Sequence, residues 1–225
     1  MSATVTSPVF PPSALPDTLP IFPLAGAVLL PRSKLPLNVF EPRYLAMVEE
    51  ALAHPGRMIG MVQPKEAEGQ DAPEPTIYKI GCAGRVTSFT ETEDGRYLIT
   101  LTGICRFAVS EELPQERLFR RVKPDWTGFL KDIGDTDNAE IDHVKLLAVL
   151  KNYFKIHGIA ADWEAVQSTP GDMLISSLAM ICPLATNEKQ ALLEARDVTA
   201  RAELLTALLE MASMPQADKE IGIRH

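Results

Sequence analysis

The chain is poor in the side chains that most enzymes and metal proteins depend on. It carries three cysteines and four histidines among 225 residues. Cys82, Cys105 and Cys182 lie far apart and are odd in number, with no Cys-x-x-Cys pair and no Cys/His spacing that suits zinc. Neither a disulfide framework nor a metal site is expected, and buried thiols in a reducing cytosol are the simpler reading. His54, His143, His157 and His225 form no local pattern with Cys or a carboxylate, so structural or solvent-facing roles are expected of them. The sequence also has no G-x-S-x-G, no H-E-x-x-H and no G-x-x-x-x-G-K-[ST]. Ser177 and Lys189 make a pair on paper only, because nothing around them activates either group.

Positive charge is scarce as well. The formal net charge is −8, which disfavours the phosphate neutralisation on which non-specific nucleic-acid binding rests. One local basic run, Arg117 to Lys123, reads as the solvated face of a strand. Aromatics are only 6% of the chain, and no basic stretch offers a stacking platform for bases. No apolar run approaches the roughly 20 residues that span a bilayer, and no basic region precedes an apolar core at the N-terminus. A soluble, cytoplasmic protein with no cofactor is the expectation.

What is present is concentrated between Leu19 and Leu52. Apolar pieces at Ile21–Leu24 and Ala27–Leu30 flank Ala25-Gly26, and a third runs from Leu35 to Phe40. Pro42 suits the first position of a helix, since its φ is already helical and its missing N–H would have no partner there. Leu45, Val48 and Leu52 recur on one face, and Pro55-Gly56 ends the helix.

Read as a string, this stretch is LPIFPLAGAVLLPRSKLPLNVFEPRY. It resembles the opening of the Lon protease N-terminal domain, the substrate-binding LON domain, whose members begin LPLxPLxxxVxFPxxxLPLxxFExRY. Two later stretches extend the resemblance: Tyr78-Lys79-Ile80-Gly81 through Phe107, and Glu188 to Glu194. Together they cover most of Leu19 to Met211. The resemblance implies an α+β fold, a PUA-like β pseudo-barrel with an embedded helix followed by a C-terminal α-helical bundle.

The remaining chain fits that outline. Residues 1–18 are rich in proline and read as a flexible or extended lead-in. A β-rich subdomain is expected over 19–124, a connector over 125–138, a helical bundle over 139–213 and a tail over 214–225. Met58–Val62 is a strand candidate, and Lys65–Thr76 an exposed acidic loop. Ile77–Thr90 and Arg96–Ser110 bracket Glu93-Asp94-Gly95, a hairpin signal. Tyr97, Ile99, Leu101, Cys105, Phe107 and Val109 share one parity, and Gly103 suggests a bulge or bend. Leu118–Val122 reads as the closing strand. Helices follow around Ile141–Phe154, Asp162–Gln167, Thr169–Ile181 and, opened by Asn187 and Gln190, Glu188–Met211.

The resemblance also implies a function: binding of polypeptide segments or a partner protein, by strand addition to a free edge or by a groove of apolar side chains. In the full proteases this domain also helps assembly, so a homo-oligomer is an expectation here. Only fourteen residues follow Met211, so neither the ATPase nor the Ser-Lys protease module of Lon is expected, and a non-catalytic adaptor or regulator in protein quality control follows by analogy. Candidate peptide-binding residues are Phe22, Leu37, Val39, Phe40, Glu41, Arg43, Met58 and Met61, the apolar ones serving equally well as core. Glu41 and Arg43 read more simply as a local pair at the helix start, and Arg106 as half of an interior or rim ion pair. The alternative is a small-molecule, or less readily an RNA, binder that reuses the barrel.

Overall fold

The computed structural model describes residues 10–65, 75–134 and 141–214. The chain divides into two compact units, Met1–Asn138 with Ser176–Glu194, and Ala139–Ile175 with Ala195–His225. Six strands build the first: β1 (Leu19–Pro23), β2 (Lys34–Val39), β3 (Met58–Val62), β4 (Ile80–Glu91), β5 (Tyr97–Glu112) and β6 (Arg121–Asp125). Helix α1 (Pro42–Ala53) lies between β2 and β3. The mixed α+β architecture is the one expected.

Strand order is β2-β5-β4-β3-β1-β6, and β6 returns to pair with β5 as well. The long β5 makes this closure possible. Its first half, Tyr97 to Thr102, pairs with β2, while Ala108 to Glu112 pairs with β6. Five strands therefore close on themselves, and among the described residues β2 is left as the one strand with a single neighbour. The parallel pair β1–β3 needs a crossover, which α1 provides. That helix buries Tyr44, Met47, Val48 and Ala51. The stripe is rotated from the expected Leu45, Val48 and Leu52, because Tyr44 is drawn inward onto Phe22, with ring centroids 4.2 Å apart.

The β4–β5 hairpin turns at Asp94-Gly95, with Gly95 at φ 77°, a region open to glycine at no steric cost. The bulge expected near Gly103 is present. Ala83 opposes Cys105 while Gly84 opposes Gly103, so Ile104 is the extra residue. Gly103 is required there because any Cβ would overlap the carbonyl oxygen of Leu30 and lie 2.8 Å from its carbon. Beyond the bend, Phe107 enters a core with Leu19, Ile21, Met58, Val62, Ile77, Ala83 and Val122.

Three readings of the strand-rich unit are corrected. Ala27–Leu30 is not a strand, although Val28, Leu29 and Leu30 are fully buried. The closing strand starts at Arg121 rather than Leu118, which is exposed. Residues from Phe10 onward are also not a loose lead-in. Phe10 and Leu15 pack against the core, Pro12–Ala14 forms a 3-10 turn, and Trp126 donates its indole N–H to the Pro16 carbonyl at 3.2 Å. The loop placed at Lys65–Thr76 falls in large part outside the described residues, as do residues 1–9 and most of the tail.

The remaining helices are α2 (His143–His157), α3 (Trp163–Ser168), α4 (Gly171–Ile181), α5 (Thr186–Glu194) and α6 (Val198–Ala212). Asp142 caps α2 by accepting from the Lys145 N–H, Gly158 closes it at φ 64°, and Asp197 caps α6 by accepting from Ala200. The single helix expected over Glu188–Met211 is thus two, since Asp197 starts a second one. Within the second unit α2 runs against α6, with Lys145 and Glu210 paired at 3.3 Å. The first unit, not the second, holds α5.

Candidate functional site

Parallel β1 and β3 begin at the same end of the barrel, and that end is open. A cleft of about 780 Å³ lies across it. Leu19 and Met58, the first residues of the two strands, line it together with Ala51 from the last turn of α1. The proline-rich segment supplies Phe10, Pro11, Ala14, Pro16 and Thr18, and the turn after α1 supplies His54, Pro55, Gly56 and Arg57. Neighbouring strands add Arg85, which stands opposite Met58 in the β3–β4 ladder, and Arg121, opposite Pro20 in the β1–β6 ladder. Leu19, Ala51 and Met58 are at most 4% exposed, so they belong to the packed interior and give the cleft a firm apolar base.

The charges of the lining are unequal in sign. Glu50 is its one carboxylate, and that group already faces Arg117 at 3.5 Å. Arg57 and Arg85 are exposed and have no carboxylate partner among the described residues, while Arg121 meets the exposed Glu116 at 3.6 Å. Arg57 is also held at φ 49°, a left-handed conformation that costs a residue with a Cβ about 1–2 kcal/mol. Its carbonyl accepts the Val86 N–H at 2.9 Å, which fixes the backbone there.

The candidates read from sequence do not converge on one groove. Phe22, Val39, Met58 and Met61 are core residues, 2–6% exposed, and of these only Met58 also lines the cleft. Leu37 is half-buried on β2. Phe40 is 62% exposed beyond the end of β2, with the Arg96 guanidinium 5.9 Å from its ring. Glu41 and Arg43 form a local pair at 2.8 Å with both side chains about half exposed, a geometry that contributes about 0–1 kcal/mol. The residues missed are Phe10, Ala14, Arg57, Arg85 and Arg121. Register places Arg85 and Arg121, the turn before β3 places Arg57, and packing of the proline-rich segment places Phe10 and Ala14, so no single stretch of sequence announces them.

Among the described residues strand addition has one candidate edge, the open side of β2. Pro36 sits in the middle of that strand, and it keeps its place beside β5 only because the ladder asks no donor of it there. The missing N–H is therefore lost from the open edge, which blunts pairing with a second chain.

Two polar features elsewhere in the strand-rich unit are structural. Arg106, on the buried part of β5, donates from Nε and Nη2 to the two oxygens of Asp132 at 2.8 Å each. Its Nη1 donates to the Leu193 carbonyl at 3.0 Å. Burial lowers the Arg106 pKa and the Asp132 hydrogen bond and charge raise it, with the net shift upward. The interior ion pair expected for Arg106 is thus present. Lys189 donates to the carbonyls of Gly26 and Met180 at 2.8 and 3.0 Å, and burial pushes its pKa down. Beside it Gln190 donates to the Ile80 carbonyl and Gln63 to the Thr186 carbonyl. So Glu188–Glu194, one of the stretches that carries the family resemblance, is the seam that fastens α5 to the strands. Ser177 is exposed while the Lys189 ammonium is committed to two carbonyls.

The basic run at Arg117–Lys123 is neutralised in place. Arg117, Arg120, Arg121 and Lys123 face Glu50, Glu112, Glu116 and Glu111 respectively, at 2.6–3.6 Å. Among the described residues no group of His, Cys, Asp and Glu is arranged to hold a metal ion, and no helix is long and apolar enough to cross a membrane.

Comparison with known proteins agrees with this architecture. Residues 18–211 match the family model described as the ATP-dependent protease La (LON) substrate-binding domain. "Lon protease 2" of Myxococcus xanthus is 28% identical over 87% of this chain but only 24% of its own length. "Lon protease" of Heliobacterium modesticaldum is 28% identical over 92% of this chain and 25% of its own. The chain therefore spans about a quarter of the curated relatives it matches. Among solved structures, the Lon N-terminal domain protein of Xanthomonas campestris superposes with a TM-score of 0.57 at 24% identity, covering 84% of this chain and 97% of that one. The N-terminal domain of Mycobacterium avium complex Lon protease gives 0.54 at 15%, covering 85% and 97%. At those identities the two structures speak for the fold alone. The chain belongs to the family of LON substrate-binding domains.

Proposed function

We propose that this chain is a non-catalytic module that holds polypeptide segments in the cleft at the β1–β3 end of its barrel. The observation that carries the reading is an apolar cleft of about 780 Å³, with buried Leu19 and Met58 at its base, in a domain whose family is defined by substrate binding. A packed base keeps its shape when empty, so binding does not have to order it first. The blunted edge at Pro36 favours the cleft over strand addition. Paired cations along Arg117–Lys123 argue against RNA there, and the commitment of Lys189 to two carbonyls argues against a Ser-Lys hydrolase. In a cell the module acts as an adaptor or regulator of protein quality control in the cytoplasm, alone or as a homo-oligomer. The cleft volume also lies within the roughly 300–1,000 Å³ of small-molecule sites, so a metabolite is the second reading.

The test uses a permanently unfolded, carboxymethylated protein as the probe. Ala14 is exposed on the cleft wall, so Ala14→Trp fills the space without touching the core. Saturable binding that is lost in Ala14→Trp, at an unchanged thermal midpoint, is the expected result. Cleavage of casein or hydrolysis of ATP by the pure chain overturns the non-catalytic reading. Failure to bind any unfolded chain, with a metabolite raising the thermal midpoint instead, moves the assignment to the second.

A further inference from the structure

We infer that the cleft selects among polypeptides by charge, and takes segments in which an apolar side chain is flanked by aspartate or glutamate. The inference rests on the polypeptide-binding reading above and adds the class of segment. Its basis is the mismatch between the whole chain and this one place. The protein carries a formal charge of −8, yet the cleft is lined by Arg57, Arg85 and Arg121, with His54 beside them and Glu50 as the one opposing group. Glu50 is already faced by Arg117 from outside the lining. Arg57 and Arg85 meet no carboxylate among the described residues, in contrast to the cations of the neighbouring 117–123 run, every one of which is paired. The 117–123 run, with Arg121 of the cleft among it, is thus neutralised in place, whereas Arg57 and Arg85 at the cleft are left available.

Arg57 adds an independent observation. Its backbone lies at φ 49°, where glycine would sit without strain and where a long cationic residue gains nothing from local folding. Among the described residues the Arg57 guanidinium has no carboxylate partner to compensate, and its side chain is exposed at the cleft. An apolar base with a cationic rim is complementary to an apolar side chain with carboxylates on either side of it. Such charge pairs at a rim discriminate against wrong partners and raise the rate of encounter more than they raise raw affinity.

The experiment uses four short labelled peptides and fluorescence anisotropy with the full chain. Three share one leucine- and phenylalanine-containing centre, flanked by glutamates, glutamines or lysines; the fourth has glutamate flanks on a glycine-serine centre. We expect the glutamate-flanked apolar peptide to bind about tenfold more tightly than the lysine-flanked one, with glutamine between, since two or three partly screened charges each contribute modestly. Added salt narrows that gap. The Arg57→Gly, Arg85→Gln double variant should abolish it, with no fall in thermal midpoint from the Arg57→Gly change, and a double-charge loss that left the preference intact would place selection elsewhere and overturn the inference. Equal binding of the three apolar peptides overturns the charge selection while leaving the polypeptide-binding reading standing. No binding by any apolar peptide removes that reading and this one together. Displacement of the acidic peptide by a single-stranded oligonucleotide, and not by unlabelled acidic peptide, would assign the arginines to phosphate and overturn it as well.

Discussion

Arg106 and Asp132 form a two-pronged ion pair inside the strand-rich unit, both contacts 2.8 Å long, with side chains 2% and 8% exposed. The pair joins β5 to the 3-10 turn at Leu130–Ile133, and the third donor of Arg106 reaches the last turn of α5. One side chain therefore ties together three parts of the chain far apart in sequence. Removing a single partner leaves a buried charge without compensation. Asp132→Ala should cost about 3–5 kcal/mol in urea unfolding. Arg106→Met combined with Asp132→Leu should recover much of that loss, since a fitted apolar pair has no desolvation penalty. A double variant as unstable as the single one would contradict this assignment.

Gly103 tests the bend that closes the barrel. Gly103→Ala drives a methyl group into the backbone of Leu30, where no flexible side chain is available to yield. We expect a loss of about 1–3 kcal/mol or more, seen as a lower denaturation midpoint. Gly95→Ala, where φ is 77° and the space is open, should lose less, near 1 kcal/mol.

The three thiols make a pH prediction. Cys82, Cys105 and Cys182 are 0–2% exposed. Burial first, then the nearby Asp132 charge, pushes the Cys105 thiol from 9.0 up to about 12, and burial pushes Cys182 up to about 11. A raised folded pKa means the neutral thiol's contribution is whole below 9.0, where unfolded cysteine also keeps its proton. That contribution is lost as pH rises from 9.0 towards the folded values, by about 1.4 kcal/mol per pH unit for each thiol. Stability measured from pH 8.5 to 10.5 should fall, and Cys105→Ala should flatten the slope after its own cavity cost is subtracted. Iodoacetamide at pH 8 should modify none of the three until denaturant is added.

In the helical unit, Asp197 separates two helices that the apolar pattern runs together. Its carboxylate accepts the Ala200 N–H at 2.8 Å. Asp197→Ala should cost about 1 kcal/mol, and Asp197→Asn much less. Thermal unfolding followed by circular dichroism distinguishes the two.

How far the sequence alone could lead depended on distance along the chain. Pro42, Pro55-Gly56 and Asp94-Gly95 each state their structure locally, and α1 and the β4–β5 turn stand where those residues put them. Arg106 was legible as half of an ion pair from its place among apolar neighbours, but Asp132, in a connector with no period of its own, was not legible as the other half. Phe10 and Leu15 lie in a proline-rich segment that shows neither helical nor strand spacing, so their packing on the core has no local signature. The cleft was the least legible feature. Arg57, Arg85 and Arg121 are each ordinary surface arginines in sequence, and become a set only through the registers of β3 with β4 and β1 with β6.

If polypeptide is held at the β1–β3 end of the barrel and not along β2, residues at that end should touch it when it is bound. Site-specific photocrosslinking asks this directly, with p-benzoylphenylalanine placed at Ala14 in one protein and at Phe40 in another. Both positions are exposed, so both proteins should fold. The unfolded, carboxymethylated probe should crosslink strongly from position 14 and weakly from position 40, and the acidic-flanked peptide should compete at 14. Strong crosslinking from position 40 with none from 14 would place the binding surface at the β2 end and contradict the cleft assignment.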